Sequence, residues 1–384
     1  MIGCYALSLL PLIVGFFLWW KRGEIALWEW LLAVVMCLMV TGLIHMCAIK
    51  SMTDDTETWS GQLTKATFHP EWIEEYQVAI YKNVSRTRRV SDGRGGYKTE
   101  HYTSREFSHY ETRHRRHEEC WSADDNLSGQ FSISKQQFDA IAINFGGVET
   151  VDGHKSGFDS GDPNLYVAQN KTGYIYSTTA TRRWENRVKA APSTFSFATV
   201  PTNIVVFDYP QNANGWNNSD RLKGSAQKAV PILEWDKMNS RLGPTRKVNV
   251  IACGLPAGSD TALGNWQEAK WIGGKKNDLV ICYAGDPQKP EWVKVFGWTE
   301  RFDCKRNLES LVLKNGLSIE SLPVIESEIK NNYTIKDWTE FDYLSVEPPW
   351  WAYLVIIIAM VVTQGLWWWF AWSNDINKGG GRLY

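Results

Sequence analysis

The sequence predicts an α+β membrane protein in which three transmembrane helices bracket a β-rich soluble domain followed by a small layered α/β subdomain. Three observations carry this. Apolar residues crowd into the first 49 positions and into 350–372, while the stretch between them is polar. Many of the 21 Trp residues stand at the ends of those apolar runs, where indole rings favour the headgroup region. Between the runs, extended Thr/Tyr/Val-containing segments joined by Gly-rich turns fill the first part. Strand and helix patterns alternate after about residue 240.

The first predicted span, 2–20, is about long enough for one bilayer crossing at roughly 20 residues. It has no basic leading region and no small-residue cleavage site, which argues against a secretory signal. The second, 25–49, keeps Glu29 and His45 near its ends, where a polar group reaches the interface. The third, 350–372, follows Pro348-Pro349 and carries Gln364, expected to hydrogen-bond a neighbouring helix. A short tail, 373–384, follows. With three crossings, Trp19, Trp20, Trp28, Trp30, Trp367, Trp368, Trp369 and Trp372 share one membrane face, and Trp350 and Trp351 the other. Lys21-Arg22 and the tail's Lys378 and Arg382 place the short loop and the C-terminus in the cytoplasm, although Lys50 dissents. The large domain is then expected outside the cytoplasm.

Residues 51–240 read as the β-rich domain. Tyr76–Val90 and Tyr97–Thr112 are two extended runs joined by Ser91-Asp92-Gly93-Arg94-Gly95-Gly96, a hairpin signal. The distal half, with Arg86, Arg88, Arg89, Arg94, Lys98 and Arg105, should project into water. His109, His114, His117 and Cys120 are residue types that bind zinc, so a divalent metal ion is the one cofactor the sequence suggests. Arg113, Arg115 and Arg116 beside them would repel a cation. Ser134-x-x-Gln137 opens a helix that runs to Phe145 and ends at Gly146-Gly147. Gly157-Phe158-Asp159-Ser160-Gly161-Asp162-Pro163 resembles the nucleophile segment of trypsin-like proteases, but without a His and Asp from earlier elements it reads as a turn.

Residues 241–347 read as the α/β unit: a strand at 247–253, a helix at 260–270, strands at 279–284 and 292–298, then two helices. The segment 248–300, with Trp271-Ile-Gly-Gly-Lys-Lys-Asn-Asp278 leading into Leu279-Val-Ile and a returning strand that ends Phe296-Gly-Trp-Thr-Glu300, resembles the TPM domain. That family comprises extracytoplasmic, membrane-tethered domains, some linked to phosphatase activity. The resemblance implies Asp278 and Glu300 as site residues, and Asp260 joins them as a third carboxylate on a neighbouring loop. More broadly the chain resembles membrane proteins of tailed bacteriophages and some bacteria, which share the Trp59-Ser60-Gly61 start, the Glu185–Val188 segment and the Gly-Gly-Lys-Lys-Asn turn.

Net charge is −1, so no nucleic-acid partner is expected; the bilayer is the first partner the composition implies. No convergent catalytic set is legible. The expected function is therefore that of a phage-type protein of the host inner membrane, with a periplasmic domain that binds an envelope protein, a polymer or itself. A TPM-type hydrolase is the alternative. Cys120, Cys253, Cys282 and Cys304 allow three pairings that the sequence leaves open.

Overall fold

The computed structural model describes residues 27–91, 97–153, 163–191, 199–211, 215–216 and 219–373, with Ile13 and Phe16. Within them the chain is mixed α+β with a β-rich domain, and two helices are long and apolar enough to cross a membrane. The predicted span 2–20, apart from Ile13 and Phe16, the Gly157–Asp162 stretch and the tail lie outside the described residues; at the other two expected spans the chain forms helices of sufficient length and apolarity.

Helix α1 (Leu27–Thr53) outruns the predicted end at 49 by four residues. Ser51 Oγ donates to Ala48 O and Thr53 Oγ1 to Ile49 O, so both hydroxyls are satisfied by the helix's own last turns. The chain then passes without a linker into β1 (Asp54–His69). Strand β1 is the spine of the first unit. Its first half pairs with β8 (Ser177–Glu185), and its second half, past a register shift at Leu63/Lys65, pairs on opposite edges with β4 (Cys120–Asp125) and β7 (Leu165–Gln169). Strands β5 (Gln130–Ser132), β6 (Glu149–Val151) and β9 (Gly215–Trp216) complete this seven-stranded sheet. Helix α2 (Lys135–Phe145) packs Phe138, Ile141 and Phe145 on Leu63, Ala66 and Ala168. Its start is the capping box that the sequence predicts, Ser134 with Gln137.

Between β1 and β4 the chain makes a separate hairpin arm, β2 (Trp72–Ser91) and β3 (Tyr97–His117). The two strands pair along their whole length and, among the described residues, with no other strand. At about 3.3 Å per residue each extends roughly 65 Å.

The second unit is a sheet in the order β10 (Leu222–Gly224), β11 (Asn249–Leu255), β12 (Asp278–Asp286), β13 (Lys289–Gly297), parallel but for the last pair. Helix α3 (Arg187–Ala190) precedes it and α4 (Ile232–Arg246) lies within it. Helix α5 (Ala262–Lys270) links β11 to β12, and α6 (Phe302–Asn315) and α7 (Leu322–Asn332) follow β13. The predicted order β-α-β-β-α-α is thus observed. The unit starts earlier than residue 241, because β10 and α4 belong to its sheet and core. Along β11 alternate residues face opposite sides: Val250 and Ala252 meet α4, α6 and α7, while Ile251 and Cys253 meet Trp271, Phe207 and Tyr209.

The last described element is α8 (Trp350–Ser373). Helices α1 and α8 pack through Cys37, Ile356 and Met360, and Gln364 Nε2 donates to Cys37 Sγ at 3.1 Å, the interhelical hydrogen bond expected of Gln364. Away from this seam both helices expose large apolar side chains, among them Leu43, Met46, Ile358 and Val361. Among the described residues no protein covers those faces, which suits lipid.

Candidate functional site

The two units meet where β1 leaves α1, and the Gly-Gly-Lys-Lys-Asn turn before β12 makes that junction. Lys275 Nζ donates to Asp55 Oδ1 at 2.8 Å and Thr56 Oγ1 at 2.6 Å. Lys276 pairs with Glu57 at 2.8 Å, and Asn277 Nδ2 donates to Thr58 O at 2.7 Å. Three successive residues of the turn thus clasp four successive residues of β1.

The turn is held from behind by a buried polar chain. Asp278 Oδ2 accepts from Lys275 N and Tyr209 OH, each at 2.8 Å, and its Oδ1 accepts from Asn249 Nδ2 at 2.8 Å. Asn249 Oδ1 accepts from Arg221 Nε at 2.6 Å, and Arg221 Nη1 reaches Asp236 Oδ1 at 3.0 Å. Arg221 is fully buried. Burial pushes the Asp278 carboxyl above its ordinary range, although three donors pull it back. Burial, then the charge and hydrogen bond of Asp278, push Tyr209 well above the usual phenol, so Tyr209 stays a neutral donor. Ile272, Gly273 and Gly274 have φ of +54°, +75° and +86°. A β-branched residue in the left-handed region is an outlier that its surroundings must impose.

Beside this junction lies a cleft of about 200 Å³ lined by Asp55, Asn186, Lys189, Tyr209, Lys270 and Trp271, with the turn as its edge. Burial raises the Asp55 carboxyl, but Lys275, Asn186 and the Thr56 N–H outweigh it and hold the group below the usual carboxylate range.

The predicted carboxylates do not converge. Asp278 lies at the start of β12, fully buried, with both oxygens occupied. Glu300 follows β13 at the same end of the sheet, exposed, 3.7 Å from Lys336. Asp260 lies past the other end of β11, about 20 Å away for seven residues of strand, where its Oδ1 accepts from Ala262 N at the start of α5. Asp278 is a structural anchor of the turn, a role its sequence position did not distinguish from a catalytic one.

The predicted metal set is also dispersed. His109 and His117 pair with Ile80 and Trp72, some 26 Å apart along β3, and His114 pairs with Glu75 on the opposite face. His117 stacks on Trp72 and bonds Glu74 at 2.8 Å, while Cys120 has passed into β4 opposite His69. Among the described residues no three His, Cys, Asp or Glu side chains are placed to share a metal ion. All six described cysteines are free.

The arm carries ten Lys and Arg against six Asp and Glu between residues 72 and 117. Tyr81, Phe107 and Tyr110 form a contiguous aromatic patch on one face, each about half exposed or more, with Arg105 over the Tyr81 ring at 4.9 Å. Comparison with protein-family models, curated proteins and solved structures gives no match to this chain.

Proposed function

We propose that the chain is a membrane-anchored, non-enzymatic envelope protein of phage type. It would cross the host inner membrane three times, at 2–20, 25–49 and 350–372, and hold its folded domain outside the cytoplasm. Its role is to present the β2–β3 arm to a partner: another envelope protein, a surface polymer or a second copy of itself. The observation that carries this reading is the arm. Two strands of 20 and 21 residues pair with each other and, among the described residues, with no other strand, which leaves both outer edges open to a partner. An isolated two-stranded ribbon is marginal in water and gains order from a partner. The excess of positive charge and the exposed Tyr81–Phe107–Tyr110 patch supply the two kinds of contact a docking surface combines. The antiparallel packing of α1 and α8 and their uncovered apolar faces support the anchoring. The dispersal of Asp260, Asp278 and Glu300 gives the TPM-type hydrolase no support.

The test is photo-crosslinking in intact cells from an unnatural residue at Tyr81 or Tyr110. The expected result is a discrete adduct, at twice the chain mass if the partner is a second copy. With the probe at Tyr81, the adduct should vanish in an Arg105→Glu/Phe107→Ser variant, which removes the neighbouring contacts and keeps the probe, with membrane insertion unchanged. No adduct from either position would refute the reading.

A further inference from the structure

We propose that the junction cleft binds the phosphate of an anionic lipid headgroup from the leaflet next to the domain. The proposal rests on the reading that α1 and α8 span the bilayer. Position is the first argument. Asp55, on the wall of the cleft, is two residues past the end of α1. Lys189 Nζ donates to Asp54 O at 3.3 Å and Asn186 N to Thr53 O at 2.6 Å, so helix α3 sits on the point where the chain leaves the membrane helix. Arg187 Nη1 donates to Asp342 O at 2.8 Å and ties in the segment that leads to α8. The cleft therefore opens at the depth of the headgroups.

Charge is the second argument. Three ammonium groups, Lys189, Lys270 and Lys275, line the cleft with a single carboxylate, Asp55, which is consumed by Lys275. Lys270 donates to Val206 O at 3.1 Å and pairs at 2.7 Å with Asp208, a carboxylate that is 93% exposed and free to swing away. An ammonium group has three donors, so Lys189 and Lys270 keep N–H groups for an anion. The remaining walls are Asn186, whose Nδ2 donates to Asp55 Oδ2 at 2.8 Å, and the largely apolar Trp271, Tyr209 ring and Ile272. A charged pocket with an aromatic wall suits a phosphodiester with its glycerol, and indole favours that depth. The cleft, about 200 Å³, has room for a headgroup phosphate.

The experiment uses the full chain in nanodiscs of phosphatidylcholine alone or with phosphatidylglycerol, with native mass spectrometry counting retained lipid. A thermal melt with added inorganic phosphate forms a separate arm. Wild type should retain phosphatidylglycerol and melt higher with it. Retention should fall about thirtyfold in the Lys189→Met/Lys270→Met variant, from the surface attraction of two lysines. Because the variant also loses the Lys189–Asp54 and Lys270–Asp208 contacts, it is compared with wild type by the rise in melting temperature that phosphatidylglycerol adds, which should disappear. Equal retention in both proteins overturns the inference. So does stabilisation by inorganic phosphate without phosphatidylglycerol retention, which would assign the cleft to a soluble phosphate. A chain that fails to enter nanodiscs at all would instead refute the anchoring.

Discussion

Gly243 offers the sharpest test of how the two units are joined. It lies in α4, where glycine is unfavourable, and on propensity alone Gly243→Ala should stabilise the helix by about 1 kcal/mol. The structure predicts the opposite sign. An added Cβ would lie 1.9 Å from Ser60 O and 2.9 Å from the Ser60 carbonyl carbon, both backbone atoms of the buried strand β1. A carbon–oxygen contact needs about 3.3 Å, so α4 and β1 must part by roughly 1.4 Å. That shift breaks contacts across the junction, including Gln62 Nε2 to Ser240 O at 3.2 Å and Ser177 Oγ to Asp236 O at 3.1 Å. Overpacking of this kind costs about 1–3 kcal/mol, and each lost buried hydrogen bond about 1 more. After the helical gain, a net loss of about 2–4 kcal/mol remains, or a fall in Tm of roughly 4–16 °C for a domain of this size. The assay is thermal unfolding of the full chain in detergent, followed by tryptophan fluorescence. Gly42→Ala in α1, where an added Cβ meets nothing within 4 Å, is the control. A Gly243→Ala variant that melts with or above wild type would refute the close approach of α4 to β1.

The buried chain behind the turn makes a second prediction. Arg221→Met leaves Asp236 as an uncompensated buried charge and should cost about 3–5 kcal/mol in chemical denaturation, whereas Arg221→Met with Asp236→Leu should recover most of it. Equal losses in the two variants would contradict the pairing. A third concerns pH. The Asp55 carboxyl is held below its ordinary range, so its stabilisation is full at neutral pH, above the unfolded value near 3.8, and fades as pH falls through the lower folded value. Below about pH 4 the melting temperature of wild type should therefore drop more steeply than that of Lys275→Met, which lacks the pair from the start. Parallel acid limbs would show that the clasp contributes nothing.

How much of this was legible differs by region. The α/β unit was readable because its signals are local: Val250–Ala252 and Leu279–Ile281 are short apolar runs of strand length; in the β-rich unit, Ser134 with Gln137 announces a helix start by type and spacing. Its boundary was misplaced because β10 is three residues long and gives no periodic signal, so only pairing with β11 reveals it. The site was legible in parts. Lys275, Lys276 and Asn277 were visible as a turn, but their partners Asp55, Glu57 and Thr58 lie some 220 residues earlier, and no local pattern links the two. Asp278 was singled out for the wrong reason: a carboxylate beside a glycine turn looks alike whether it reacts or anchors. The His109–Cys120 run shows the converse, since residues close in sequence are spread along a strand that extends them about 3.3 Å apiece.

The central claim, that the arm-bearing domain faces away from the cytoplasm, is tested most directly at Cys120. That residue is exposed at the root of the arm, whereas Cys253, Cys282 and Cys304 are buried. Burial pushes the Cys304 thiol up to about 12 and raises Cys253 well above its ordinary value, so neither competes as a thiolate. In a variant with Cys4→Ser and Cys47→Ser, a membrane-impermeant maleimide added after outer-membrane permeabilisation and mild reduction should label one site, and Cys120→Ser should abolish the label. Labelling of Cys120 only after the inner membrane is lysed would contradict the account.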